Sequence, residues 1–229
     1  MSKKKHPPRI PRAANGFRAQ DLRALPRGAW WVKRWLQAIE AMRLGARAGR
    51  GKVYAEQGQV TELQVSGTHV EATVLGARPD PYTVKIDFAP IRSAAVADGD
   101  IRAQRPTTSN QLDGCLGAMT VGRILAGEMP LVVEEQFAMK GLSLYPTLGV
   151  DRFWCSCPDW SKPCKHIAAV LYLLGDVLVR DPARLLRLRG VTLTPEDAGA
   201  ETALPLWKGV VKFEDALAKI YRRTGMKDG

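Results

Sequence analysis

No apolar run in the chain approaches the roughly 18 residues needed to cross a bilayer. The longest, IAAVLYLLG at 167–175, has the length of a buried helix. The basic N-terminus, MSKKKHPPRIPRAANG, has no apolar segment behind it and does not read as a secretory signal. The sequence also lacks a CxxC pair and any internal repeat. These absences point to a cytoplasmic protein, where thiols stay reduced and clustered cysteines read as metal ligands before disulfides. What is present is an ordinary globular composition of 229 residues, 45% apolar and 25% charged. That is enough to bury a core in one large domain or two small ones.

Acidic residues are nearly missing from the first quarter. Residues 1–52 carry 14 Lys/Arg against Asp21 and Glu40, while the other 177 residues carry 20 Lys/Arg and 21 Asp/Glu. The whole excess behind the net charge of +11 therefore lies at one end. A localised basic field attracts nucleic acid or an acidic protein surface; a solubilising tail is the plain alternative.

Residues 1–20 mix Lys, Arg and Pro with few apolar residues and predict a disordered basic arm. Trp31, Trp35, Ile39 and Met42 then recur at helical spacing, which predicts an amphipathic helix ending near Gly45, with its tryptophans in the core. Period two takes over in QVTELQVS (59–66) and HVEATVLG (69–76), a hairpin, and in YTVKIDF (82–88), a third strand. CLGAMTVGRILAGEM looks helical but glycine-broken, and LSLYPTL and DRFWC look extended. KHIAAVLYLLGDVLV predicts a helix, DPARLLRLRG a second with Asp181 as N-cap and Pro182 after it, and residues 211–225 a last amphipathic one. The division that follows is 1–20, a basic arm; 21–130, an N-terminal domain with the basic helix and small sheet; 131–190, a zinc finger with its following helices; and 191–229, a C-terminal tail.

Three of the four cysteines and one of the three histidines fall within CSCPDWSKPCKH, 155–166. Cys155 and Cys157 end a predicted strand, where i and i+2 point the same way and two thiolates can share an ion. Pro158 and Pro163 stiffen the connection to Cys164 and His166, which open the apolar helix. Three sulfurs and an imidazole are the composition of a closed structural zinc site, and thiolates select zinc over magnesium or calcium. Three thiolates with Zn²⁺ leave one negative charge, which Arg152, Lys162 and Lys165 lie close enough to offset, while Trp154 and Trp160 can shield the site. A redox pair would favour CxxC, and a Cys/His dyad leaves two further cysteines unexplained. Cys115 reads as a small buried residue.

CxC followed by CxH and an apolar helix resembles the SWIM zinc finger, and FWCSCPDWSKPCKHIAAVLYLLG resembles the form in small bacterial SWIM proteins. GRGKVYAEQGQVTELQV and DPARLLRLRG add to the likeness, so that it spans most of residues 28–190. The resemblance implies Cys155, Cys157, Cys164 and His166 as zinc ligands. It also implies DNA binding or protein–protein contact, often beside a helicase-like ATPase.

GARAGRGK (45–52) fails as a phosphate loop, with Ala46 and Val53 where Gly and Ser/Thr are needed. Either a flexible turn or a basic hinge whose Arg47, Arg50 and Lys52 reach phosphates remains. Arg180, Arg184 and Arg187 recur at spacing that lines one helix face. With Lys33, Arg34, Lys162 and Lys165 these complete the candidate nucleic-acid contacts. The sequence thus predicts an α+β protein with a small antiparallel sheet, flanking helices and one structural zinc finger. Its expected role is non-enzymatic nucleic-acid binding, DNA foremost, with no membrane and no small-molecule substrate. The alternative is an adaptor that docks a Swi/Snf-type helicase-like ATPase through the finger.

Overall fold

Alternation of apolar and polar residues from Val60 onward builds the sheet, because one face of each strand carries the side chains that bury. In the computed structural model, which describes residues 11–19, 29–91, 107–108, 116–159 and 163–198, β1 (Val60–Ser66) turns into β2 (His69–Val74), followed by β3 (Tyr82–Asp87). A two-residue β4 (Thr107–Thr108) pairs in parallel with β6 (Val191–Thr192). The strand expected before the finger, β5 (Arg152–Cys155), joins the main sheet as its fourth member, in the antiparallel order β1-β2-β3-β5. Val70, Ala72, Val74, Val84 and Ile86 are all buried on the core face. Register pairs Cys155 with Val84, which sets the first cysteine of the cluster on that same face.

Six α-helices flank the sheet among the described residues: α1 (Trp30–Ala41), α2 (Ala46–Glu56), α3 (Ala118–Leu125), α4 (Val132–Met139), α5 (Lys165–Arg180) and α6 (Ala183–Arg187). Helix α5 is apolar on nearly every side, and every residue from His166 to Asp176 is buried. Such a helix belongs in a core. Helix α1 crosses it with the tryptophans inward, as their spacing predicts. The Trp31 indole N–H donates to Leu178 O at 2.8 Å and that of Trp35 to Leu171 O at 2.9 Å. Two polar atoms are thereby satisfied within a wholly apolar contact.

Three local expectations are corrected. Residues 11–19, expected within a free arm, lie along the β1 edge: Phe17 bridges Val60, and Gly16 N donates to Gly58 O at 2.9 Å. An open strand edge offers hydrogen bonds that outweigh the segment's polar composition. GARAGRGK is neither hinge nor turn but the start of α2. LSLYPTL forms turns instead of a strand, because Asp151 Oδ2 accepts from the Thr147 N–H at 2.7 Å and folds the chain back. The helix at 211–225, Cys115, Trp160 and Lys162 lie outside the described residues. No helix among those described is long and apolar enough to cross a membrane.

Candidate metal centre

Strand β5 stops at Cys155. Ser156 still belongs to the ladder edge, its N–H bonded to Thr83 O at 3.0 Å and its Oγ accepting from Thr83 N at 3.0 Å. The chain then bends so that the Cys157 N–H points at Cys155 Sγ, 3.5 Å away. The two cysteines therefore meet through a turn that wraps the site, and not through the strand periodicity expected for them. Cys164 holds the N-cap position of α5 in extended backbone (φ −85°, ψ 177°), and His166 sits in the first helical turn. Strand end and helix start converge. The donor atoms of Cys155, Cys157, Cys164 and His166 lie within 4.8 Å of one another, and all four residues are buried.

His166 turns Nδ1 toward the sulfurs, 3.8 Å from Cys155 and 3.9 Å from Cys164. Tyr82 stacks on the imidazole at 4.4 Å between centroids, and Tyr54 leans on it at 5.6 Å. These two rings fix its orientation; Nε2 is buried with no hydrogen-bond partner. Sequence patterning missed both tyrosines, which come from β3 and α2 and meet the finger only in three dimensions. Trp154, expected to shield the cluster, stands on the opposite face of β5, across from Lys85 and half exposed.

The charges of the donor set suit a cation. The Cys155 thiol's hydrogen bond, with His166 adding to it, holds Cys164 down to about 3 despite burial. That same hydrogen bond and then burial push Cys155 up, and burial pushes up Cys157 beside the Cys164 thiolate. Close-set thiols titrate one against another unless a positive ion lies among them. A tetrahedral zinc with Zn–S bonds of about 2.3 Å would hold its donors roughly 3.5–4 Å apart. The residues fit that ion. Zinc bound here would supply a cross-link between the end of β5 and the start of α5, and all four protein ligands close it to substrate.

Residues 147–175 match the SWIM zinc finger family. The chain carries a SWIM zinc finger. It is a binding module rather than a catalytic one, and with the Cys₃His cluster it supports zinc binding. The uncharacterized protein Rv2102 of Mycobacterium tuberculosis is 37% identical over 189 residues, covering 80% of this chain; the chain spans 63% of that protein's length. No solved structure matches the chain.

The candidate basic contacts fall into two groups. Several are held by carboxylates: Arg34 by Glu134 at 3.0 Å, Arg47 by Asp159 at 3.5 Å, and Arg180 by Asp176 at 2.9 Å. Asp181 takes both Arg184 (3.2 Å) and Arg187 (3.1 Å). The expected arginine stripe is broken as well, because Asp181 leaves helical backbone (φ −131°, ψ 82°) and Pro182 starts α6 afresh. Asp181 makes no side-chain cap; its carboxylate serves the arginines instead. Among the described residues the second group carries no such partner. Lys33, Arg50 and Lys52 are exposed, and Lys165 points its ammonium at the Tyr54 hydroxyl, 2.8 Å away.

Proposed function

We propose that the protein is a non-enzymatic, zinc-dependent nucleic-acid-binding protein, with DNA the ligand that the SWIM likeness favours. One observation carries the reading: the described helices of the basic quarter, α1 and α2, are packed directly onto the helix that the finger starts. Helix α2, with Arg47, Arg50 and Lys52, approaches α5 so closely that a Cβ on Gly51 would stand 2.5 Å from Ala168 Cβ. Zinc at the head of α5 would thus hold α2 and its cations in place. In this reading 131–190 act as the finger with its helices, and 1–20 and 21–130 supply the phosphate contacts, in a reducing cytoplasm that keeps the thiols available.

The test is fluorescence anisotropy with duplex and single-stranded DNA over a salt series, comparing the full chain with Cys164→Ser. The expected result is a steep log–log salt slope, of about 0.7–0.9 per phosphate contacted, and loss of binding with loss of zinc in the variant. No binding at low salt would overturn the reading. A second reading, an adaptor for a helicase-like ATPase, draws on Leu148, Val150 and Trp154, apolar side chains at least 44% exposed within the finger. A nuclease-resistant complex recovered with the full chain, and lost on Trp154→Asp with Val150→Asp, would favour it.

A further inference from the structure

Segment 11–19, helix α2 and the first residue of α5 line an open recess of about 840 Å³. Arg12, Arg18, Arg50 and Lys165 line it, and no carboxylate does among the described residues. They come from three places in the chain: two from the pinned segment, one from α2, one from the residue between the ligand positions Cys164 and His166. Among the described residues none of the four forms an ion pair, whereas Arg34, Arg47, Arg180, Arg184 and Arg187 all do. Four guanidinium and ammonium groups around one recess, with no carboxylate among the described residues lining it, repel one another, and an anion relieves that repulsion. The recess is not polar throughout. Val53 remains 44% exposed at its wall, beside Ala13 and Pro11.

Resting on the nucleic-acid reading above, we infer that this cavity holds one unstacked nucleotide of a single strand, its base against Val53 and Ala13 and its phosphates among Arg12, Arg18, Arg50 and Lys165. The volume lies within the range of small-ligand pockets, about 300–1,000 Å³. A duplex keeps its bases stacked inside and offers only phosphate ridges to a concave surface. A single strand can turn a base out into an apolar recess while its backbone follows the cations. An acidic peptide matches the charge but leaves the apolar wall without a partner. Lys165 also ties the site to the metal. Its ammonium is set by the Tyr54 hydroxyl and lies 4.7 Å over that ring, and the same ring leans on His166.

Gly49 supplies the test, because it lines the cavity and a Cβ there meets nothing within 4 Å. Gly49→Trp fills the recess without removing a charge, and Gly49→Ala is its control. Each is titrated with an oligothymidylate and with a blunt duplex. Thymidine monophosphate and a polyglutamate peptide serve as competitors at equal charge concentration. The expected result is single-strand affinity at least about tenfold weaker in Gly49→Trp, unchanged in Gly49→Ala, with zinc content preserved in both and neither Tm below that of the wild type. Should Gly49→Trp lose its fold, the surface pair Arg18→Ala with Arg50→Ala gives the reading instead, its single-strand salt slope smaller by about 1.4. Single-strand binding untouched by either variant would overturn the cavity while leaving the nucleic-acid function standing. No nucleic acid bound by the wild type would overturn both. Equal competition by the mononucleotide would show a free nucleotide as the ligand, and by polyglutamate a protein partner; each would overturn the strand.

Discussion

Arg189 is 3% exposed and sits at the centre of a hydrogen-bonded network. Its Nη1 meets Asp151 Oδ1 at 2.6 Å, its Nη2 meets Oδ2 at 3.2 Å, and its remaining donors reach the carbonyls of Leu144, Ala89 and Tyr145. Asp151 in turn accepts the N–H groups of Ala89 and Thr147. Three loops and the start of β5 are thereby fixed by one ion pair. Removing one partner leaves the other charged and buried, so Arg189→Ala should destabilise by about 3–5 kcal/mol. Urea denaturation would measure it. The double change Arg189→Met with Asp151→Leu should cost less than the single one, since it leaves no orphaned charge. Nothing in one dimension marks this arginine. In RLLRLRG the helical spacing selects Arg184 and Arg187, which are surface residues, while the buried one follows at the helix end. The four clustered metal-site residues were legible for the opposite reason: their types and short spacing are the chemistry itself, and no long-range contact is needed to see it.

At the scale of elements, legibility depended on whether periodicity or packing decided the outcome. The tryptophan face of α1 and the alternation of β1 to β3 were readable because burial imposes its period on the sequence. Helix α2 was not, because its glycines argue for a break. The two glycines have opposite roles. Gly51 is where α2 touches α5, with a Cβ placed 2.5 Å from Ala168 Cβ and 2.9 Å from Lys165 O, while Gly49 faces open space. Gly51→Val should therefore force the helices apart, and a cost of about 1–3 kcal/mol is expected from overpacking. Gly49→Ala should stabilise by about 0.5–1 kcal/mol, the ordinary gain of alanine over glycine in a helix. Thermal unfolding of the two variants side by side checks the pair. Equal effects would mean that α2 does not lean on α5 through this face.

For the whole molecule, the question is whether the finger is a separable unit. Its position in the sheet argues that it is not. Cys155 ends the fourth strand, opposite Val84, and Cys164 and His166 open the helix on which the core is built. The reach of that helix is long. Trp31 and Trp35, more than a hundred residues upstream, donate to its backbone at Leu178 and Leu171, and Trp35 is fully buried. Metal binding contributes folding free energy to the elements its ligands belong to, about 10 kcal/mol or more for structural zinc sites. If those elements are the core, removing zinc should act on the core. Chelation should then shift the tryptophan emission of the chain to the red in step with the loss of helical circular dichroism and with zinc release. Replacing Trp35 with Phe should diminish the shift, because that indole is buried against α5. Zinc release that leaves the emission unchanged would instead show a finger able to unfold on its own, with the sheet and α1 stable beside it. The packing of α1 and α2 on α5 favours the cooperative outcome: every residue of α5 from His166 to Asp176 is buried, and a helix enclosed in that way has no partial state that keeps its neighbours buried.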